Sequence, residues 1–192
     1  IQVINRSEKS AVSYEDMTNS TAHFAAIRLS ELGIYTGEQI GECFFFHPER
    51  QITRSEFVTM AVSAAKISTP NAALNTGLLD DDEIKTWAKP YISAALNSKI
   101  INGSLQSDGS RVFLPEAYLT RAQAAVILNN ITNMANNNIE SVFSDSANVP
   151  AWALSELINL TSAQVMSTDS SGAINAYATV SYEEAAELIY SA

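Results

Sequence analysis

The chain has 192 residues, with 11 Lys and Arg against 21 Asp and Glu and a formal net charge of −10. A uniform negative field repels nucleic acid and anionic membranes, so an anionic ligand must be captured by a few local cations. Hydrophobic residues make up 46%, enough for a real core, yet no apolar run approaches the roughly 18 residues that span a bilayer.

The opening Ile1-Gln2-Val3-Ile4-Asn5 alternates like the tail of a β-strand. It suggests a C-terminal piece of a longer protein, so targeting signals say nothing here. Residues 1–13 read as the tail of a preceding domain or a linker. A first amphipathic helix is expected over 20–32, with Ala22, Ala25, Ala26, Leu29 and Leu32 at helical spacing and Gly33 as its stop. Cys43 is alone, which excludes an intrachain disulfide, and it reads as a small buried hydrophobe. His23 and His47 have no Cys cluster nearby and read as surface or packing residues rather than metal ligands.

Ile52-Thr53-Arg54-Ser55-Glu56 then predicts a helix start. A hydroxyl followed three residues later by Glu or Gln is a capping box, in which each side chain satisfies a backbone N–H of the other residue. Thr53 and Glu56 form the first box, Thr120 and Gln123 the second, and Ser181 and Glu184 the third. The aliphatic residue before each cap can staple onto Phe57, Ala124 or Ala185. Ala-rich apolar runs follow over 57–65, 124–131 and 185–190, so these helices should be largely buried.

Ser68–Thr76 reads as a linker. Asp80-Asp81-Asp82-Glu83 lacks the alternating ligands and central Gly of a calcium loop and reads as a solvated acidic turn. Further amphipathic helices are expected over 85–98, with Pro90 near its start, and over 151–162, with Pro150 at its start. An Asn-rich stretch, Asn129–Asn138, lies between them and ends the second unit.

These elements recur in one order. An acidic turn (Tyr14-Glu15-Asp16, Leu78-Leu79-Asp80, Phe143-Ser144-Asp145) precedes Thr21, Trp87 or Trp152, each followed by Ala. Next come Gly33-Ile34-Tyr35-Thr36-Gly37, Lys99-Ile100-Ile101-Asn102-Gly103 and Gln164-Val165-Met166-Ser167-Thr168, and then the capping boxes. The units span 14–67, 78–134 and 142–192, the last degenerate. A two-helix unit of this size has little surface to bury alone. The expectation is therefore an all-α chain of three tandem helix–loop–helix repeats around a central bundle of three capped helices, with pseudo-three-fold symmetry in a monomer. An open solenoid is the competing geometry.

The ordered recurrence resembles the S-layer homology family. Its acidic turn, its Trp-Ala helix start, its Gly-Ile turn and its Phe-x-Pro loop (Phe46-His47-Pro48, Phe113-Leu114-Pro115) are all present, and its Ile-Thr-Arg-Ala-Glu start is matched by Ile52–Glu56 and Leu119–Gln123. The resemblance implies a pseudo-trimeric spindle with grooves between repeats. It also implies non-covalent anchoring to the cell wall of Gram-positive bacteria through a secondary wall polysaccharide bearing ketal-linked pyruvate. The chain would be extracellular, fused to upstream domains, non-catalytic, and without metal or cofactor, nucleic-acid partner or membrane insertion.

The Arg fork matches a carboxylate in two-pronged geometry. Arg54 and Arg121 stand one residue past a cap, where free N–H groups and the helix dipole also favour an anion. They read as ligand contacts, as simple surface residues or as salt-bridge partners between repeats. Asp16, Asp80 and Asp145 could accept from sugar hydroxyls or hold turns. Trp87 and Trp152 could pack at a helix start or stack on a sugar. Gly37 and Gly103 complete the expected ligand set.

The departures are Thr21 for Trp, Tyr182 for Arg and Thr168 for the second Gly. Only the second unit keeps Asp, Trp, Gly and Arg together. One or two competent grooves are expected, with a mainly structural third unit. The missing Trp and Arg also leave open an interaction or assembly module that kept the fold and lost carbohydrate binding. No Ser–His–Asp set, phosphate loop or spaced carboxylate pair suggests an enzyme.

Overall fold

A computed structural model describes residues 12–71, 75–134 and 143–192. The expected tail over 1–13, the linker over 68–76 and the stretch over 129–138 lie wholly or partly outside them.

The regular elements of the described residues are mostly helices. In chain order they are α1 (His23–Glu31), β1 (Glu38–Ile40), β2 (Cys43–Phe45), α2 (Arg54–Ala64), α3 (Lys89–Asn97), β3 (Ser104–Leu105), β4 (Arg111–Val112), α4 (Arg121–Thr132), α5 (Leu154–Ser162) and α6 (Tyr182–Ser191). The strands form two antiparallel hairpins inside the long loops of the first two units, which the sequence pattern reads only as loops.

Helices α2, α4 and α6 begin at Thr53, Thr120 and Ser181. Thr53 and Thr120 accept from the backbone N–H of Glu56 and Gln123, and those two side chains accept from the cap N–H in return. Ser181 accepts from the Glu184 N–H at 3.2 Å, but the Glu184 carboxylate is turned to Arg121. The residues on either side of each cap (Ile52 and Phe57, Leu119 and Ala124, Val180 and Ala185) are all buried.

Helices α1, α2, α3 and α5 end alike. A residue with positive φ (Gly33, Lys66, Lys99 or Gln164) is followed by an aliphatic one whose N–H reaches back to the third-last helical carbonyl, as Ile100 does to Ala95 at 2.8 Å. The aliphatic side chains of Ile34, Ile67, Ile100 and Val165 then fold onto the core.

The outer helices start later than the sequence pattern places them. Turns closed by the bonds His23 N–H to Ser20, Ala88 N–H to Lys85 and Ala153 N–H to Pro150 precede α1, α3 and α5. Their cap positions are Ala22, Ala88 and Ala153, which offer no side-chain acceptor. Pro150 therefore opens a turn rather than the helix.

The three units interlock in a closed cycle. The N–H of Ile52 donates to Val180, that of Val180 to Leu119 and that of Leu119 to Ile52, each at 2.9–3.0 Å. The first N–H groups of each central helix are taken by the loop of the next unit. Arg54 and Ser55 donate to Ala117 and Pro115, Arg121 and Ala122 to Ala178 and Ala176, and Tyr182 and Glu183 to Arg50 and Pro48. The outer helices follow the same rule: α3 packs on α2, α5 on α4 and α1 on α6. Each central helix is thus covered by the following unit, and the last by the first. One contiguous core results, in which no repeat has its apolar surface to itself.

Three further readings need correction. Cys43 is exposed, because it lies at the tip of a hairpin whose outer face meets water. The acidic run is not simply a solvated turn. Asp80 and Asp81 are both buried, and Asp81 pairs with Lys89 Nζ at 2.7 Å while accepting from the Thr76 N–H and hydroxyl. The helix starts at Arg54 and Arg121 also offer no free N–H to an anion, since neighbouring carbonyls already hold them.

Candidate functional site

The interlocking creates three pseudo-equivalent grooves, numbered here by the unit whose central helix lines them. Each takes its wall from that unit's post-helix turn and central helix. The next unit supplies the residue at the Trp position, and the preceding unit the residue at the Arg position.

The second groove encloses about 770 Å³. Ile100, Ile101, Asn102 and Gly103 form its turn and Val126 and Ile127 its helical wall. Trp152 stands at its rim and Arg54 at its floor. Trp152 is 56% exposed, which excludes a core-packing role. Arg54 is only 8% exposed. Its Nε donates to the Phe113 carbonyl at 2.8 Å, and its guanidinium carbon lies 5.0 Å from the centre of the Phe113 ring. Burial lowers its pKa and the charge on Asp80 opposes that, but a guanidinium stays charged at neutral pH. Among the described residues Arg54 has no ion-pair partner and its terminal nitrogens have no hydrogen-bond acceptor.

The third groove, about 350 Å³, is arranged in the opposite way. Arg121 Nε donates to the Ile174 carbonyl at 2.8 Å, just as Arg54 does to Phe113. Its two terminal nitrogens are occupied, one by the Glu184 carboxylate and the other by the Ser167 carbonyl. Burial raises the pKa of Glu184 against the opposing charge of Arg121. Glu183 and Glu187 line the same groove and accept from Ser20 and Thr21. Thr21, at the Trp position, offers no ring.

The first groove, about 300 Å³, is aromatic. Tyr182 replaces the Arg and Trp87 stands at the rim, 48% exposed. Tyr35 lies against Tyr182, with ring centres 4.9 Å apart. Burial pushes the Tyr35 hydroxyl up to about 12 and raises that of Tyr182 further, so both stay neutral. Arg50 sits 4.4 Å over the Tyr182 ring and donates to Glu56 at 2.9 Å.

The three aspartates hold loops. Asp16 accepts from the N–H groups of Phe46 and His47, Asp80 from Phe113 and Leu114, and Asp145 from Ile174 and Asn175, at 2.6–2.9 Å. His47, Leu114 and Asn175 have positive φ, so each carboxylate fixes a strained loop residue. A holding role for these aspartates was among the expectations, but the loops they hold were not legible, because the partners lie some thirty residues downstream. Gly37 is likewise required by packing: a Cβ there would meet the Phe45 carbonyl oxygen at 2.3 Å. Gly103 lines the second groove, and a Cβ there would crowd the Val112 carbonyl at 3.2 Å. Thr168 does not adopt the positive φ of Gly37 and Gly103.

Residues 79–125 and 142–186 match the family described as the S-layer homology domain. Two of the three units are therefore S-layer homology repeats. The chain is 31% identical over 128 residues to the exoglucanase XynX of Acetivibrio thermocellus, which covers 65% of the chain and 11% of that relative. It is 30% identical over 117 residues to the surface-layer 125 kDa protein of Lysinibacillus sphaericus, covering 60% and 9%. It is also 31% identical over 93 residues to the amylopullulanase of Thermoanaerobacterium thermosulfurigenes, covering 47% and 5%. The chain thus spans between 5% and 11% of the length of these relatives.

Proposed function

We propose that this chain is a non-catalytic anchoring module that holds a larger extracellular protein on a bacterial cell wall by binding a carboxylate-bearing secondary wall polysaccharide, such as a pyruvylated one. In this reading residues 14–67 are a third S-layer homology repeat, completing the cycle that α1 and α6 close. The relatives, a surface-layer protein, an exoglucanase and an amylopullulanase, agree with a module appended to different proteins.

The observation that carries the proposal is the second groove. A mostly buried guanidinium whose terminal nitrogens have no protein acceptor among the described residues is poised for a carboxylate, because the planar fork and a carboxylate pair in two-pronged geometry. The half-exposed ring of Trp152 at the rim gives the sugar's C–H face a surface to stack on. Asn102 and Asn130 supply neutral hydrogen-bonding groups around it. Arg54 comes from the first unit, Gly103 from the second and Trp152 from the third, so one binding site needs all three.

Co-sedimentation with Gram-positive sacculi tests the reading. Binding to native walls, lost when acid strips the secondary polymer, is the expected result. Equal pelleting with stripped and native walls, or none with pyruvylated walls, would favour the assembly-module reading instead.

A further inference from the structure

Three pseudo-equivalent grooves with different charges raise the question of what the first one takes. In the second groove the cation is unpaired. In the third, one cation faces three carboxylates, which closes it to anions. In the first, Tyr182 occupies the position of Arg54, and the nearby Arg50 is neutralised by Glu56 and stacked on the Tyr182 ring. A carboxylate entering there would lose water without gaining a free cation, which is unfavourable.

The wall of this groove is otherwise suited to a sugar. Ile34, Tyr35, Met60 and the exposed ring of Trp87 form an apolar surface of the kind that stacks on the C–H face of a pyranose. Thr59 also lines it. The groove also adjoins the anionic site. Arg54 and Thr59 lie on the same helix, and α3, which follows Trp87, ends in the turn that lines the second groove.

We propose that the groove between Trp87 and Tyr182 is a second carbohydrate site of different specificity, taking an uncharged pyranose of the same polymer whose carboxylate enters the Arg54 groove. The inference rests on the wall-polymer reading above, and it makes the module read two kinds of sugar unit rather than one kind twice.

The chain has two tryptophans, one per groove, so emission reports each site separately. Trp152→Phe leaves Trp87 as the reporter, and Trp87→Phe leaves Trp152. Both side chains are about half exposed, so neither change should disturb folding. The probe is secondary wall polysaccharide released from pyruvylated walls, titrated as isolated and after mild acid has removed its ketal-linked pyruvate. The expected result is that Trp87 emission responds to and saturates with both preparations, while Trp152 emission responds to the native polymer and weakens at least about tenfold with the neutral one. A Trp87 signal absent with the neutral polymer, while Trp152 still responds to the native one, overturns the second site. Silence of Trp152 toward the native polymer would overturn the wall-polymer reading itself, so the two failures are distinct.

Discussion

Arg121 donates to the carboxylate of Glu184 across the third groove, whereas Arg54, at the same position in the first central helix, has no carboxylate partner among the described residues. The two arginines share a motif and an Nε bond to a loop carbonyl, yet only one has its fork available. What separates them is the third residue of the neighbouring central helix, Gln123 beside Arg54 and Glu184 beside Arg121.

Arg121→Gln should therefore act on stability rather than on binding. It leaves a mostly buried carboxylate unpaired, and a loss of about 2 kcal/mol in chemical denaturation is expected. The loss should shrink in acid. Burial already raises the Glu184 pKa in the folded chain, and without Arg121 it rises further. Stability of the variant is then greatest below the ordinary value of 4.5 and declines as pH climbs through the raised folded value. Denaturation midpoints at pH 4 and pH 7 check this.

Asp81 works in the opposite sense. The Lys89 hydrogen bond, helped by the Thr76 N–H, holds its carboxyl at about 2 against an ordinary 3.8. A depressed folded pKa contributes stability above 3.8 that is lost as pH falls through about 2. Asp81→Asn should lower the melting temperature at neutral pH, and the gap to the parent should close as pH approaches 2.

Lys99 and Gln164 hold the left-handed position that Gly33 fills in the first unit. Lys99→Gly should stabilise the chain by about 1 kcal/mol, since a non-glycine residue pays a steric penalty at positive φ. Gly37→Ala should do the reverse and cost at least about 2 kcal/mol, because its Cβ has a backbone carbonyl in its path as well as a positive φ. Thermal melts of the two variants give the comparison.

Much of the fold was legible because its signals are local. Thr53 with Glu56 and Thr120 with Gln123 lie within one helical turn, and Gly33 stops the helix it follows. The site was less legible because its parts are brought together by the cyclic exchange. Asp, Trp, Gly and Arg coexist in the second unit as sequence, but Trp87 faces the first groove and Arg121 the third. The Arg, Gly and Trp of one groove come instead from three units, as Arg54, Gly103 and Trp152. Nor does the motif reveal that Glu184 leaves its own cap to pair with Arg121, a choice that depends on a helix from another unit.

The measurement that bears most directly on this account is calorimetric titration of native, pyruvylated wall polysaccharide into the parent chain, Arg54→Gln and Arg121→Gln, each confirmed folded at the working temperature. The account predicts at least about tenfold weaker binding for Arg54→Gln and a change under about threefold for Arg121→Gln. Loss of binding on changing Arg121, with Arg54→Gln binding like the parent, would contradict it.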